Sequence, residues 1–163
     1  MGKFLSRILP MLGLAIWILA SAPPAMAERD PPYWASIDKP KARMRTGPST
    51  EYPITWIYKR KNLPIKIVAR YRSWRKVEDP GGTQGWIHAG LLSGSLTAMV
   101  TGQKGQVRTL HAKPDEDAKI IWHVEAGVVG KISRCENGWC LFDVDGRRGY
   151  INQAVIWGGQ ALE

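Results

Sequence analysis

The side chains best suited to chemistry are concentrated in one short segment, RMRTGPSTEYPI, from Arg43 to Ile54. Two arginines, Arg43 and Arg45, stand one residue apart, and Gly47-Pro48, Ser49, Thr50 and Tyr52 follow. Alternate residues of a strand share a face, so if Met44 points inward both guanidiniums point outward, where they can pair with carboxylate or phosphate oxygens. Gly47-Pro48 has a structural use whatever the loop binds: glycine permits a positive φ and proline fixes the next backbone angle. The segment can therefore grip an anion or only turn a corner between strands. With Arg72 in a later turn and Trp86 on a later strand, the candidate ligand-binding set is Arg43, Arg45, Tyr52, Arg72 and Trp86.

Catalytic chemistry finds few residues to work with. The three histidines, His88, His111 and His123, fall at no metal-ligand spacing. His88 follows Gly-Trp-Ile and is expected to cap a turn rather than act as a base. Cys135 and Cys140 enclose Glu-Asn-Gly-Trp, and Asn137-Gly138 is a strong hairpin signal. In an oxidising compartment the two read as a disulfide across that hairpin, with a catalytic thiol or a free pair as the alternatives. The glycines of EDPGGTQG run into a strand rather than opening a helix with Gly-Lys-Ser/Thr, so they mark a hairpin turn and not a phosphate loop. No metal site and no cofactor is expected, and the chain reads as a non-enzyme. A wall-turnover enzyme would have to rely on Cys135 or His88.

Residues 1–27 have the form of an export leader: Lys3 and Arg7 precede the apolar run Ile8–Ala20, which leads to Ala25-Met26-Ala27, with cleavage expected after Ala27. That run is short of the roughly 20 residues a spanning helix needs, so no transmembrane segment is expected in the mature chain. The first cysteine is Cys135, which leaves no lipid-anchoring position near the cleavage site. A periplasmic or secreted location follows.

Without the leader, 21 Lys and Arg stand against 14 Asp and Glu. The excess is unevenly spread. Ala35–Ser95 carries 12 basic and 4 acidic residues, whereas Val100–Glu163 carries 8 of each. A positive potential confined to one half points to an anionic partner there. Basic residues interleaved with Tyr71 and Trp74 would also suit nucleic acid, but an exported protein rarely meets it, which leaves anionic glycans, lipid head groups and acidic envelope proteins.

The elements that position these residues occur twice. MRTGPSTEYPITWIY from Met44 aligns with LHAKPDEDAKIIWHV from Leu110, placing Pro48 over Pro114 and Trp56 over Trp122. Farther on, Trp74 meets Trp139 and Gly85 meets Gly149. Each copy reads as five or so short strands broken by turn residues, with no convincing helical period. The expected fold is all-β, with two small barrels after the leader. Residues 28–41 read as a proline-rich extended arm, 42–95 as a basic first domain, 96–104 as a connector and 105–159 as a second domain with the disulfide. Trp56, Trp122, Trp74 and Trp139 recur at equivalent places and are expected in the cores. Tyr52 and Trp86 become Ala118 and Tyr150 in the second copy, which makes them candidates for function.

The order Met-Arg-Thr-Gly-Pro-Ser-Thr-Glu-Tyr-Pro-Ile, an alternating strand, a Trp after a charged turn, then Gly-Trp-Ile-His and Leu-Leu resembles the bacterial SH3 domains of exported envelope proteins. The first copy matches over nearly its full length. The second departs at Lys113, Ala118 and Tyr150. The resemblance implies two tandem SH3-like barrels and, for many relatives, binding to peptidoglycan or to envelope proteins. Aromatic faces for sugar rings and cations for carboxylates would supply the chemistry. An adaptor that holds one envelope protein is the second reading.

Overall fold

A computed structural model describes residues 29–160. The leader expected over residues 1–27 lies outside them. The first half builds β1 (Tyr33–Ile37), β2 (Ala42–Arg45), β3 (Ile54–Tyr58), β4 (Pro64–Tyr71), β5 (Trp74–Glu78), β6 (Gln84–His88) and β7 (Leu92–Ser93). The second builds β8 (Thr97–Val100), β9 (Val107–His111), β10 (Ile120–Glu125), β11 (Val129–Glu136), β12 (Trp139–Val144), β13 (Arg147–Asn152) and β14 (Ile156–Trp157). Each set forms an antiparallel seven-stranded sheet. The orders, β3-β2-β6-β5-β4-β1-β7 and β10-β9-β13-β12-β11-β8-β14, are one topology used twice.

Alternation along the strands sets the cores. Ala42 and Met44 of β2 are buried while Arg43 between them is exposed, and Ile65 and Ile67 of β4 are wholly buried. With Val77 and Ile87 they fill the first barrel, as Leu110, Ile132, Phe142 and Ile151 fill the second. Gly85 is buried where a side chain would strike that of Met44, so β6 can cross β2 only as glycine.

Two segments differ from expectation. The proline-rich arm contributes β1, and the connector contributes β8; each pairs with two strands of its own sheet. Pro31, Pro32 and Pro40 flank β1 without interrupting it, and Ala35 and Ile37 turn into the core with the two-residue period of a strand. The arm also neutralises charge: Asp30 pairs with Arg70 at 3.0 Å, and the Tyr33 hydroxyl accepts from Arg75 Nε at 3.1 Å. Arg70 and Arg75 sit opposite each other across β4 and β5, where like charges repel. At the equivalent cross-strand pair of the second barrel stand Cys135 and Cys140, joined by the expected disulfide with an S–S distance of 2.03 Å. The turn beneath it, Asn137-Gly138, has both residues at positive φ, as a two-residue hairpin requires.

Between the barrels, the faces of β1 and β8 turned away from their cores are covered, β1 by β14 and the residues after it and β8 by β4. Trp34 packs edge-on against Trp157 with ring centroids 4.7 Å apart, and its indole N–H donates to the Gln160 carbonyl at 2.7 Å. Ser36 and Thr97 are buried on these same faces. Gly158, at φ +119°, lies where any side chain would press on Pro64 of the other barrel.

Candidate functional site

An open groove of about 210 Å³ runs over the first barrel, lined by Lys41, Arg43, Arg45, Thr50, Trp74, His88 and Leu91. Its position follows from the strand period. With Ala42 and Met44 inward, Arg43 and Arg45 project onto the outer face of β2, and Lys41 precedes them on the same side. Across β6 and β5, His88 and Trp74 are direct partners in the ladder. Their rings meet edge to face, 5.5 Å apart with an interplanar angle of 90°. One wall is thus cationic and the other aromatic.

The two arginines do different work. Arg45 Nη1 donates to the carbonyl oxygens of Thr50 at 2.8 Å and Tyr52 at 2.6 Å, so its charge holds the loop between β2 and β3 closed. Arg43 and Lys41 make no ion pair or side-chain hydrogen bond among the described residues, and both are exposed. They are the cations the groove leaves open to a ligand. Arg45 therefore turns the corner of the loop, while Arg43 faces outward.

Gly47 serves the loop in a way other than expected. It is not among the positive-φ residues; it is glycine because the Tyr52 ring lies on it, 2.6 Å from where a Cβ would be. Tyr52 itself is 46% exposed and does not line the groove. The second barrel changes both members of this contact, to Lys113 and Ala118.

Arg72 also lies apart from the groove, whereas Trp86 stands on the same outer face as the groove residues Arg45 and His88. Arg72 occupies the β4–β5 turn at φ 51°, with its guanidinium over the Tyr71 ring at 5.3 Å. Trp86 stands half-buried on β6, opposite Arg45 on one side and Lys76 on the other. Lys41, Trp74, His88 and Leu91 were not among the residues anticipated. Trp74 reads as core because it recurs in the second copy, yet it is only partly buried. His88 does cap its turn as expected, its Nδ1 accepting from the Gly90 N–H at 3.2 Å, and its ring also forms the groove wall. A lone aromatic on a strand does not disclose which face it shares with a cation three strands away in sequence.

The second barrel is an internal control. Strand registers that pair Met44 with Trp56 and Leu110 with Trp122 make Thr109 the counterpart of Arg43, His111 that of Arg45 and Val107 that of Lys41. His111 keeps the clamp, its Nδ1 lying 2.9 Å from the Ala118 carbonyl. It also meets Trp139 edge-on, with ring centroids 5.3 Å apart. Asn152 takes the place of His88 and caps the matching turn through Oδ1. What supports the loop and turn is retained, and the two free cations are not.

Trp56 and Trp122 correct an expectation. They are 57% and 43% exposed, on β3 and β10, the outermost strands of their sheets. Recurrence at equivalent positions reflects a shared surface here, not a shared core.

The profile of the bacterial SH3 domain matches residues 38–94 and 104–158. No curated protein matches the chain. Among solved structures, NlpC2 and NlpC1 from Trichomonas vaginalis align at 14% and 12% identity, each with a TM-score of 0.35 over 80% of this chain and 49% and 47% of theirs. An NlpC/P60 family protein from Bacillus cereus aligns at 13% identity with a TM-score of 0.34, over 79% of this chain and 57% of its own. The chain thus spans about half the length of these structures. Among the described residues, no helix is long and apolar enough to cross a membrane.

Proposed function

The chain belongs to the bacterial SH3 domain family, and on that premise we propose that it is an exported, non-enzymatic binding protein of the cell envelope. Its ligand is peptidoglycan or another anionic envelope component, held in the groove of the first barrel. The observation that carries this reading is the pair of unengaged cations, Lys41 and Arg43, facing the Trp74–His88 wall in one barrel and replaced by Val107 and Thr109 in the other. A guanidinium forks onto a carboxylate, and an indole face covers the apolar side of a sugar or peptide, so the two walls together suit a glycan that bears acidic peptide stems. The basic half draws such a polyanion from a distance.

Co-sedimentation with purified sacculi tests the reading. The protein is expected in the pellet at low salt and progressively in the supernatant as salt rises, because the exposed cations are screened within a Debye length of about 8 Å at physiological ionic strength. Failure to pellet at low salt would remove peptidoglycan as the ligand.

A further inference from the structure

Strands β3 and β10 present the same unusual edge in both barrels. Each pairs with one neighbour only, β2 or β9, and is outermost in its sheet. Ile54, Trp56 and Ile57 of β3 are exposed, as are Ile120, Ile121 and Trp122 of β10. Neither run of apolar residues contains a Lys, a Pro or an inward charge; of the devices that discourage edge pairing each strand carries a β-bulge alone, at Thr55 in β3 and at Ile121 in β10. The flanks differ in sign. Lys59-Arg60-Lys61 follows β3 directly, whereas Asp115-Glu116-Asp117 comes shortly before β10.

We infer that β3 of one molecule pairs antiparallel with β10 of a second copy of this chain, joining first barrel to second barrel through a continuous sheet. The direction is set by the charges. Antiparallel pairing brings the residues that follow β3 beside those that precede β10. Setting Trp56 near Ile120 and Ile54 near Trp122 carries Lys59–Lys61 to the same end of the joint as the turn that holds Asp115–Asp117. Lys119, which directly precedes β10, then comes to the Ile57 end of β3, and Arg147 lies over the Trp122 ring at 5.7 Å. Cross-strand aromatic–aliphatic pairs are favourable, and the opposite charges gathered at one end favour the antiparallel direction. Pairing β10 with β10 instead would bring Asp115–Asp117 towards Glu125, and pairing β3 with β3 would set no acidic triplet against Lys59–Lys61. Because each chain carries one basic-flanked and one acidic-flanked edge, a second copy always offers the complement.

Sedimentation velocity on the purified protein across a concentration series at low and high salt provides the test. Wild type is expected to show a mass that rises with concentration and falls with salt. Lys59→Glu with Arg60→Glu, and separately Glu116→Lys with Asp117→Lys, should each weaken association about tenfold or more. An equimolar mixture of the two variants should associate again, because the chain with two acidic-flanked edges then meets the chain with two basic-flanked edges. Lys61 and Asp115 are left unchanged, since Lys61 pairs with Asp38 and Asp115 caps the Asp117 N–H. Trp56→Lys, with its strand still folded by circular dichroism, should abolish association irrespective of salt. A monomer at every concentration and salt, as expected if the edges serve a different protein, would overturn the inference. So would association that neither reversal weakens, or variants that fail to recover on mixing.

Discussion

Arg45 Nη1 lies 2.6 Å from the carbonyl oxygen of Tyr52, and in the second barrel His111 Nδ1 lies 2.9 Å from the carbonyl oxygen of Ala118. A long side chain and a ring thus perform the same closure of the loop after β2 and β9. Arg45 and Arg43, adjacent in type and spacing, should separate when tested. Arg45→Ala should lower the unfolding free energy by about 1 kcal/mol through the lost charged hydrogen bonds. Arg43→Ala, on the exposed face, should stay within about 0.5 kcal/mol. Urea denaturation of both variants checks this, and equal losses would contradict the division of roles.

The Tyr52 ring and Gly47 form a second testable pair. Gly47→Ala places a methyl group into the ring, so Tyr52 must swing off the loop, at a cost of about 1 kcal/mol. In a Tyr52→Ala background the same substitution should cost little, as Lys113 beside Ala118 implies. A double-mutant cycle reads the coupling directly. Additive effects would mean that the ring contact does not constrain Gly47.

Tyr58 should give the molecule an alkaline weak point. Burial, and then the hydrogen bond and charge of Asp79 at 2.9 Å, push its phenol well above the ordinary tyrosine range. The folded state therefore holds its proton at pH values where the unfolded chain has released it. Stability from this group is complete below about pH 10 and declines as pH rises above it. Tyr58→Phe should flatten that decline, and of the five tyrosines Tyr58 should be the last to ionise in an ultraviolet titration. At the matching positions the second barrel has Val124 and Val144, an apolar pair that needs no such proton.

The Cys135–Cys140 bond closes a short loop, so reduction should cost the second barrel about 2 kcal/mol. The first barrel, with Arg70 and Arg75 at those positions, should be unaffected. Amide hydrogen exchange read separately over the strands of each barrel checks this, and a uniform loss of stability across both barrels would contradict this placement.

The duplication, the all-β class and the hairpin disulfide were legible because each leaves a local mark: a repeated order of Pro, Trp and Gly, a two-residue period, and Cys flanking Asn-Gly. β1 and β8 were hidden because five- and four-residue strands next to prolines or glycines leave too short a pattern to distinguish from a linker. The groove was half legible. Arg43 and Arg45 declare their shared face by spacing alone, but Trp74 and His88 reach it only through the register of β5 and β6. Tyr52 and Arg72 were singled out by type, and type does not say which side chains line a groove; Trp86 shares the outer face of Arg45 and His88. Trp56 and Trp122 misled for a related reason: recurrence marks a common environment, whether interior or edge.

The placement of the ligand in the first groove is tested most directly by measuring sacculus binding of a Lys41→Glu, Arg43→Glu variant beside a charge-matched control, Lys104→Glu with Lys131→Glu, on the second barrel. Both lower the net charge equally. Loss of binding in the groove variant, with the control retaining most of its affinity, is the predicted result; equal losses in the two would show that net charge alone holds the protein to the wall and that the groove is not the site.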